Sequence, residues 1–275
     1  MPHNAIGIFD SGLGGLTVAA AIAQALPDEG MIYLGDTARV PYGSRSPATV
    51  VRYARNNAAF LRRRGVKLIV VACNTVSAQG LGGLADGSSC PIIGVIRPGA
   101  RAAVAASQGG AIAVLGTAAT IRSGAYVQAI HELEPERPVL SVACPLFVPL
   151  VEEGWTNHAV TRTVAQEYLS ALAGSDVDTI ILGCTHYPLI AGVIGEVAAE
   201  VLGRPVKLVD SAAAMATAVT ALLDETRLRT TEPRRRVFYV TDTPERSTDV
   251  ARRFWGDAVG GPPLVLEHVD VVGET

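Results

Sequence analysis

Hydrophobic positions along the chain fall into short unbroken runs, separated by longer stretches in which they recur every three or four residues. The runs include Ala5-Ile-Gly-Ile-Phe, Met31-Ile-Tyr-Leu, Leu68-Ile-Val-Val-Ala, Pro91-Ile-Ile-Gly-Val95, Ala111-Ile-Ala-Val-Leu, Pro138-Val-Leu-Ser-Val-Ala, Ile180-Ile-Leu and Leu208-Val. Continuous apolar runs of this length, bounded by turn residues, read as buried strands of a parallel sheet. The periodic stretches predict a helix beginning near Leu16, one over 47–64 that Gly65 stops, and one over 75–84 that several glycines weaken. Further helices are predicted at 121–131, at 157–173, from Leu189, and at 212–226, whereas 37–44 reads as an irregular loop and 145–154, after its strand, is assigned no element. Last come a strand from Arg234 to Thr241, whose three arginines read as a solvated strand entry, a helix around 245–254, and a turn plus edge strand from Gly260 onward.

Strand alternating with helix predicts an α/β chain. The alternation also restarts near Ala111, and the two series agree in kind and order. A strand ending in Asp10-Ser11 has its counterpart near Gly116-Thr117. A strand leading to Pro41-Tyr42-Gly43 is matched by one leading to Pro149 and Glu152-Glu153-Gly154, and Cys73-Asn74-Thr75 is matched by Cys184-Thr185-His186. Internal duplication of a βα unit predicts two pseudo-symmetric α/β domains with mainly parallel sheets and an active site in the cleft between them. The expected boundaries are 1–97 plus 208–275 for the first domain, completed by the C-terminal segment, and 98–207 for the second.

Both cysteine runs end at the edge of an α/β sheet where ligands bind, each just before a helix. A free thiol ionises near 8.5, and a helix N-terminus or a nearby cation lowers that value. Asp10 can neighbour Cys73, and His186 follows Cys184 by two residues, so two acid/base units are expected, a thiol with a carboxylate and a thiol with an imidazole. Two such groups on opposite sides of one carbon suit inversion of a stereocentre, because one removes a proton from one face while the other delivers a proton to the opposite face. Pyridoxal chemistry needs a Schiff-base lysine, and the only lysines, Lys67 and Lys207, begin strands at the end opposite the crevice. No cofactor is expected, and the charge that develops falls to Ser11, Asn74, Thr75, Thr117, Thr120, Thr185 and backbone N–H groups. The glycine turn 11–15 lacks the Gly-Lys-Ser/Thr of a phosphate loop and a complete Gly-x-Gly-x-x-Gly.

Composition narrows the field further. A net charge of −3 gives no basic footprint for nucleic acid. No apolar run approaches the roughly 18 residues of a membrane span. Met1-Pro2-His3-Asn4 lacks the basic start and apolar stretch of a signal peptide, so a cytoplasmic protein is expected. The four cysteines form no Cys-x-x-Cys pair, which argues against structural zinc, and no metal site is expected. Cys90 and Cys144 read as core thiols. Arg39 and Arg45 are candidate clamps for a carboxylate, though surface roles fit them better.

Asp10-Ser11-Gly-Leu-Gly-Gly15-Leu-Thr17, Asp36-Thr37 with Pro41-Tyr42-Gly43-Ser44, Ala72-Cys73-Asn74-Thr75, Gly116-Thr117 with Thr120, Phe147-Val148-Pro149 with Glu152, and Gly183-Cys184-Thr185-His186-Tyr187-Pro188 occur in this order. In these motifs the chain resembles the glutamate racemases, a cofactor-independent family, over about residues 6–210; related aspartate and hydantoin racemases share the paired cysteines. The resemblance implies interconversion of L- and D-glutamate, supplying D-glutamate for peptidoglycan. It implies that Cys73 handles the α-proton of the D isomer and Cys184 that of the L isomer, assisted by Asp10, Glu152 and His186, with Glu152 favoured over Glu153 by spacing. Ser11, Tyr42, Gly43, Asn74, Thr75, Thr185 and His186 match the family's substrate contacts, and Asp10, Pro41, Thr117 and Thr120 are grouped with them. A homodimer is implied. Some family members need a peptidoglycan precursor as activator and carry a long N-terminal extension; this chain begins almost at its first strand, so no such dependence is expected. The alternatives are racemisation of aspartate or another small acid, and a non-catalytic binding role, since some members are reported to bind DNA gyrase.

Overall fold

A computed structural model of the chain describes residues 4–79, 81–84, 90–230, 235–256, 259 and 264–271, apart from the side chain of Arg246. Met1-Pro2-His3, Arg234 and Gly260-Gly-Pro-Pro263, on which sequence expectations were placed, lie outside the described residues. The first series runs β1 (Ile6–Asp10), α1 (Leu16–Ala25), β2 (Met31–Gly35), α2 (Pro47–Arg63), β3 (Leu68–Val71), α3 (Asn74–Gln79), β4 (Ile92–Gly94) and α4 (Ile96–Ala106). The second runs β5 (Ala111–Gly116), α5 (Ala118–Ser123), α6 (Ala125–His131), β6 (Val139–Ala143), α7 (Phe147–Glu152), α8 (Ala159–Leu169), β7 (Val177–Gly183), α9 (Ala191–Leu202) and β8 (Lys207–Asp210). The chain then adds α10 (Ser211–Glu225), β9 (Arg236–Val240), α11 (Pro244–Trp255) and β10 (Leu266–His268).

Among the described residues these strands make two sheets, ordered β10-β9-β2-β1-β3-β4 and β6-β5-β7-β8. Every pairing is parallel. The order β2-β1-β3-β4 recurs as β6-β5-β7-β8, so the duplication legible in sequence is a repeat of topology. In each sheet the chain reverses direction across its first strand, β1 or β5, which makes the crevice beside that strand's C-terminal end the expected ligand position. The C-terminal strands β9 and β10 extend the first sheet at its β2 edge. The second sheet takes in the whole of β8, which pairs with β7 from Lys207 to Asp210, so the expected boundary at 207/208 runs through a strand.

The polar ends are held in place by the apolar runs behind them. Ile6, Ile8, Phe9, Leu68, Ile69, Val70 and Val71 are fully buried, and each such side chain contributes about 1.5–3 kcal/mol. One apolar cluster runs through both sheets, and its bridge is α1 packed on α10. Small side chains on α1 (Ala19, Ala23) and α10 (Ala212, Ala216) are buried in that cluster.

Three elements differ from the periodicity reading. The helix expected over 121–131 is two, because Gly124 adopts φ +67°, a left-handed conformation that stops α5 and starts α6. The segment 145–154 contains a helix, α7; its Pro149 sits in the first turn, where a missing N–H costs no intrahelical bond. The helix expected over 157–173 is shorter, with His158 Nδ1 accepting from Val160 N at 3.1 Å as its cap.

Candidate active site

β1 delivers Asp10, and the turn after it folds back onto that side chain. Asp10 Oδ2 accepts from Gly12 N at 3.2 Å and Gly15 N at 2.9 Å, so the buried carboxylate shapes the glycine turn from within. The turn presses against the other sheet. A Cβ on Gly14 would lie 2.4 Å from Thr185 Oγ1 and 2.5 Å from His186 Nδ1, an approach that only glycine permits. Thr17 Oγ1 adds a hydrogen bond to the Thr185 carbonyl at 3.1 Å.

β2 leads into the 37–44 loop. Buried Asp36 accepts from Tyr42 Oη, from Thr241 Oγ1 at 3.0 Å, and from Arg39 Nε at 2.9 Å. Arg39 also donates to Asn57 Oδ1 at 3.0 Å and lies 4.4 Å from the Tyr53 ring centre, which takes it out of the running as a substrate clamp. This network fixes Pro41-Tyr42-Gly43 at the cleft. Across the cleft, Gly43 lies against Thr117, whose Cβ would be 3.2 Å from an added methyl.

Cys73 follows the end of β3, and its thiol donates to Ser11 Oγ at 3.4 Å. Asn74 and Thr75 open α3. The hydroxyls of Thr75, Thr117 and Thr120 form a triangle, with Thr75–Thr117 at 3.0 Å, Thr117–Thr120 at 3.0 Å and Thr75–Thr120 at 3.4 Å. On the other side Cys184 follows β7 directly, with Sγ 3.8 Å from His186 Nδ1. His186 Nε2 is 3.1 Å from Glu152 Oε1. From α11, Arg253 Nη1 donates to the Glu152 carbonyl at 2.8 Å, and Phe254 meets the His186 ring edge-on at 4.9 Å.

A cavity of ≈ 620 Å³ joins the two sides. Its wall includes Ser11, Pro41, Tyr42, Gly43, Cys73, Asn74 and Thr75 from the first series and Thr117, Glu152, Cys184, Thr185 and His186 from the second. Asp10 and Thr120, grouped with the substrate contacts from sequence, are instead buried behind that wall, bonded to the glycine turn and the threonine triangle. Glu152 is on the wall and Glu153 is not. Arg45 is not on the wall; the arginine that is, Arg122, lies in the last turn of α5 two residues after Thr120 and was missed because one arginine in a short helix carries no sequence signal. Tyr126 was also passed over, since a lone aromatic in an amphipathic helix reads as core; it donates to Asn74 Oδ1. Cys90 and Cys144 are off the wall.

Burial pushes the Cys73 thiol up to about 12, and the Asp10 charge adds to it, while Ser11 and the Val76 N–H oppose. The lowering expected from a helix N-terminus is outweighed because the thiol sits among apolar neighbours beside a carboxylate. Burial also raises Asp10, against the pull of His186 and of the Gly15, Gly12 and Ser11 N–H groups. Burial alone would lower His186, but its hydrogen bonds to Cys184 and Glu152 override this and hold the imidazole up at about 10. The cleft thus pairs a thiol next to a carboxylate with a thiol next to an imidazolium, an arrangement able to accept a proton on one side and release one on the other. Among the described residues no three His, Cys, Asp or Glu side chains converge as a metal ion requires. Lys67 is ion-paired to Glu29 at 2.6 Å, and Lys207 opens β8, both away from this wall.

The model of the Asp/Glu/hydantoin racemase family matches residues 8–219. The chain is 52% identical over 262 residues to the glutamate racemase of Geobacter metallireducens, covering 94% of this chain and 96% of that one. It is 48% identical over 258 residues to that of Syntrophus aciditrophicus, covering 93% and 94%. The structure is similar to the crystal structure of the Francisella tularensis glutamate racemase in complex with D-glutamate, with a TM-score of 0.88 and 37% identity over 99% of both chains.

Proposed function

The chain belongs to the Asp/Glu/hydantoin racemase family, and from that membership we propose how its cleft works. Its reaction is the interconversion of L- and D-glutamate, an isomerisation that supplies D-glutamate for peptidoglycan. The alternatives left open by sequence, aspartate or another small acid, are not favoured, because relatives covered over nearly their whole length are glutamate racemases.

The observation that carries the mechanism is that Cys73 and Cys184, at the ends of corresponding strands of the two sheets, open into one cavity. The thiolate of one cysteine takes the α-proton from one face of glutamate. The electron pair of the broken C–H bond moves into the α-carboxylate, where the N–H and O–H dipoles of Asn74, Thr75 and Thr185 receive the charge. The thiol of the other cysteine then gives its proton to the opposite face. Cys73 serves the D isomer and Cys184 the L isomer. The His186 imidazolium, held by Glu152, stabilises the Cys184 thiolate. Cys73 has no cation within its own set of partners and sits beside Asp10, so the α-ammonium of glutamate supplies the positive charge that offsets burial there. The Thr117 hydroxyl, backed by Thr120 and with the Tyr42-Gly43 loop facing it, receives the distal carboxylate.

The test is incubation of the protein with L-glutamate in deuterated water without added cofactor. D-glutamate carrying α-deuterium is expected, and the appearance of neither would overturn the reading. We further take the lobes as domains, 1–97 closed by the segment after 210, and 98–210. A cytoplasmic homodimer is the assembly proposed, checked by sedimentation equilibrium. Contact with DNA gyrase is the proposed second role, checked by pull-down with a Cys73→Ser/Cys184→Ser variant, which must capture gyrase as well as the unmodified chain does. No helix among the described residues is long and apolar enough to cross a membrane.

A further inference from the structure

We propose that Tyr126 is a positioning residue for this reaction: its hydroxyl holds the Asn74 carboxamide in the one orientation that presents the amide N–H groups to a substrate carboxylate. The inference rests on the racemase reading and adds to it a residue of the second lobe that sets a polar contact of the first.

Asn74 is 3% exposed, stands beside Cys73 and lines the cavity. Its Oδ1 accepts from Tyr126 Oη at 2.7 Å, while its buried Nδ2 has no partner among the described residues. A buried amide N–H2 left without an acceptor is costly unless something arrives to accept from it. The cavity wall is where a carboxylate would do so. A carboxylate accepts and cannot donate. The two ends of an asparagine amide are nearly equal in size, so shape alone leaves the flip undecided. Presented the wrong way round, Oδ1 would set its lone pairs against the carboxylate. The Tyr126 hydroxyl decides that choice, because among the described residues Asn74 Oδ1 is the acceptor its proton has, and the flipped amide would leave that proton unpaired.

Tyr126 is built to be that donor. It is 2% exposed and lies between two glycines. A Cβ on Gly99 would come within 3.1 Å of its hydroxyl, and one on Gly183 within 3.2 Å of its ring. Gly183 immediately precedes Cys184, so the ring is seated against the strand that carries the second thiol. Burial, with the nearby charges of Cys184 and Asp210, raises its phenol above the ordinary value and keeps the proton on. The hydrogen bond runs from α6 in the second lobe to the start of α3 in the first, so bringing the lobes together also orients the amide.

The test is a double-mutant cycle on kcat/KM for glutamate, read alongside thermal unfolding of each variant. Tyr126→Phe keeps the ring and is expected to lower kcat/KM about ten- to thirtyfold, the range of a misdirected hydrogen bond to a charged group. Asn74→Ala is expected to lose more. The double variant should match Asn74→Ala within about twofold, because Tyr126 acts only through that amide. Independent losses that multiply would assign Tyr126 to packing alone and overturn the proposal. A second arm leaves Tyr126 untouched: Asn74→Asp keeps the acceptor for the phenol but replaces the N–H2 donor, and is expected to be at least as impaired as Asn74→Ala. Full activity in Asn74→Asp would equally overturn the proposal. Failure of the unmodified protein to racemise glutamate would be seen before any variant is made, and would sink the racemase reading itself.

Discussion

Four cysteines of one chemical kind have different fates here, decided by a few ångströms of surroundings. Cys73 and Cys184 meet the cavity, whereas the Cys144 thiol donates to the Val142 carbonyl at 3.5 Å and Cys90 donates to the Val66 carbonyl at 3.4 Å. Burial pushes Cys144 up to about 12, as it does Cys73, so acidity alone does not separate the reacting thiols from the inert ones. Access to the substrate carbon does. Cys73→Ser and Cys184→Ser are each expected to lower racemisation about a thousandfold or more, since a serine hydroxyl ionises far less readily than a thiol. Cys90→Ser and Cys144→Ser are expected to leave kcat and KM within about twofold, a range that single-site changes off the reaction path normally respect. Equal losses in all four variants, measured by D-glutamate formation, would make the cysteines a structural set.

At the scale of elements, an irregular loop is given a fixed shape by one buried carboxylate. Asp36 is fully buried, pairs with Arg39 at 2.6 Å, and gathers donors from Tyr42 on its own loop and Thr241 just past β9. The C-terminal segment therefore reaches the substrate loop through Thr241, and the imidazole unit through Arg253 and Phe254. Asp36→Asn keeps the shape and removes the charge that organises the loop. It is expected to destabilise the protein by about 3 kcal/mol in urea titration, the low end for a broken buried pair, because Arg39 is 13% exposed and can reach water. KM for glutamate should rise about tenfold with kcat less affected, because the loop contributes binding that is alike in ground and transition states. A folded Asp36→Asn protein with unchanged KM would show that the loop keeps its shape without the carboxylate.

For the molecule as a whole, the buried imidazolium ties stability to pH. His186 keeps its proton up to about 10 in the fold, against 6.5 for an ordinary histidine. Between those values the unfolded chain binds fewer protons than the native one, so stability falls as pH rises. The contribution is fully present below 6.5 and is lost as pH passes through about 10. Cys73 adds to the fall above 9.0, because its thiol stays protonated in the fold up to about 12. Urea unfolding is expected to show stability declining from pH 7 to 9, with a slope approaching roughly 1.4 kcal/mol per pH unit. His186→Asn should flatten that slope. An identical slope in the variant would place the pH dependence elsewhere.

The alternation of apolar runs and helical periods was enough to determine the strands, their parallel pairing and the repeat. A buried parallel strand has few alternatives, and a repeated sequence signature repeats its fold. It also determined that two thiols end matched strands, since a strand's last residue has nowhere to go but the sheet edge. Local pattern could not reveal what depends on contacts between distant parts of the chain. Asp10 lies behind the cleft wall because the glycine turn folds over it, and α7 forms in a segment to which periodicity assigned no element, with its proline in the first turn. Cys73 is pushed up rather than down because the tertiary fold, not the helix beside it, sets how dry the thiol is. Arg122 and Tyr126 carry no motif; one reaches the cavity and the other reaches Asn74 only once two sheets distant in sequence close on each other. Sequence periodicity reports which face of each element is apolar, and hydrogen bonds between residues far apart in the chain leave no trace in it.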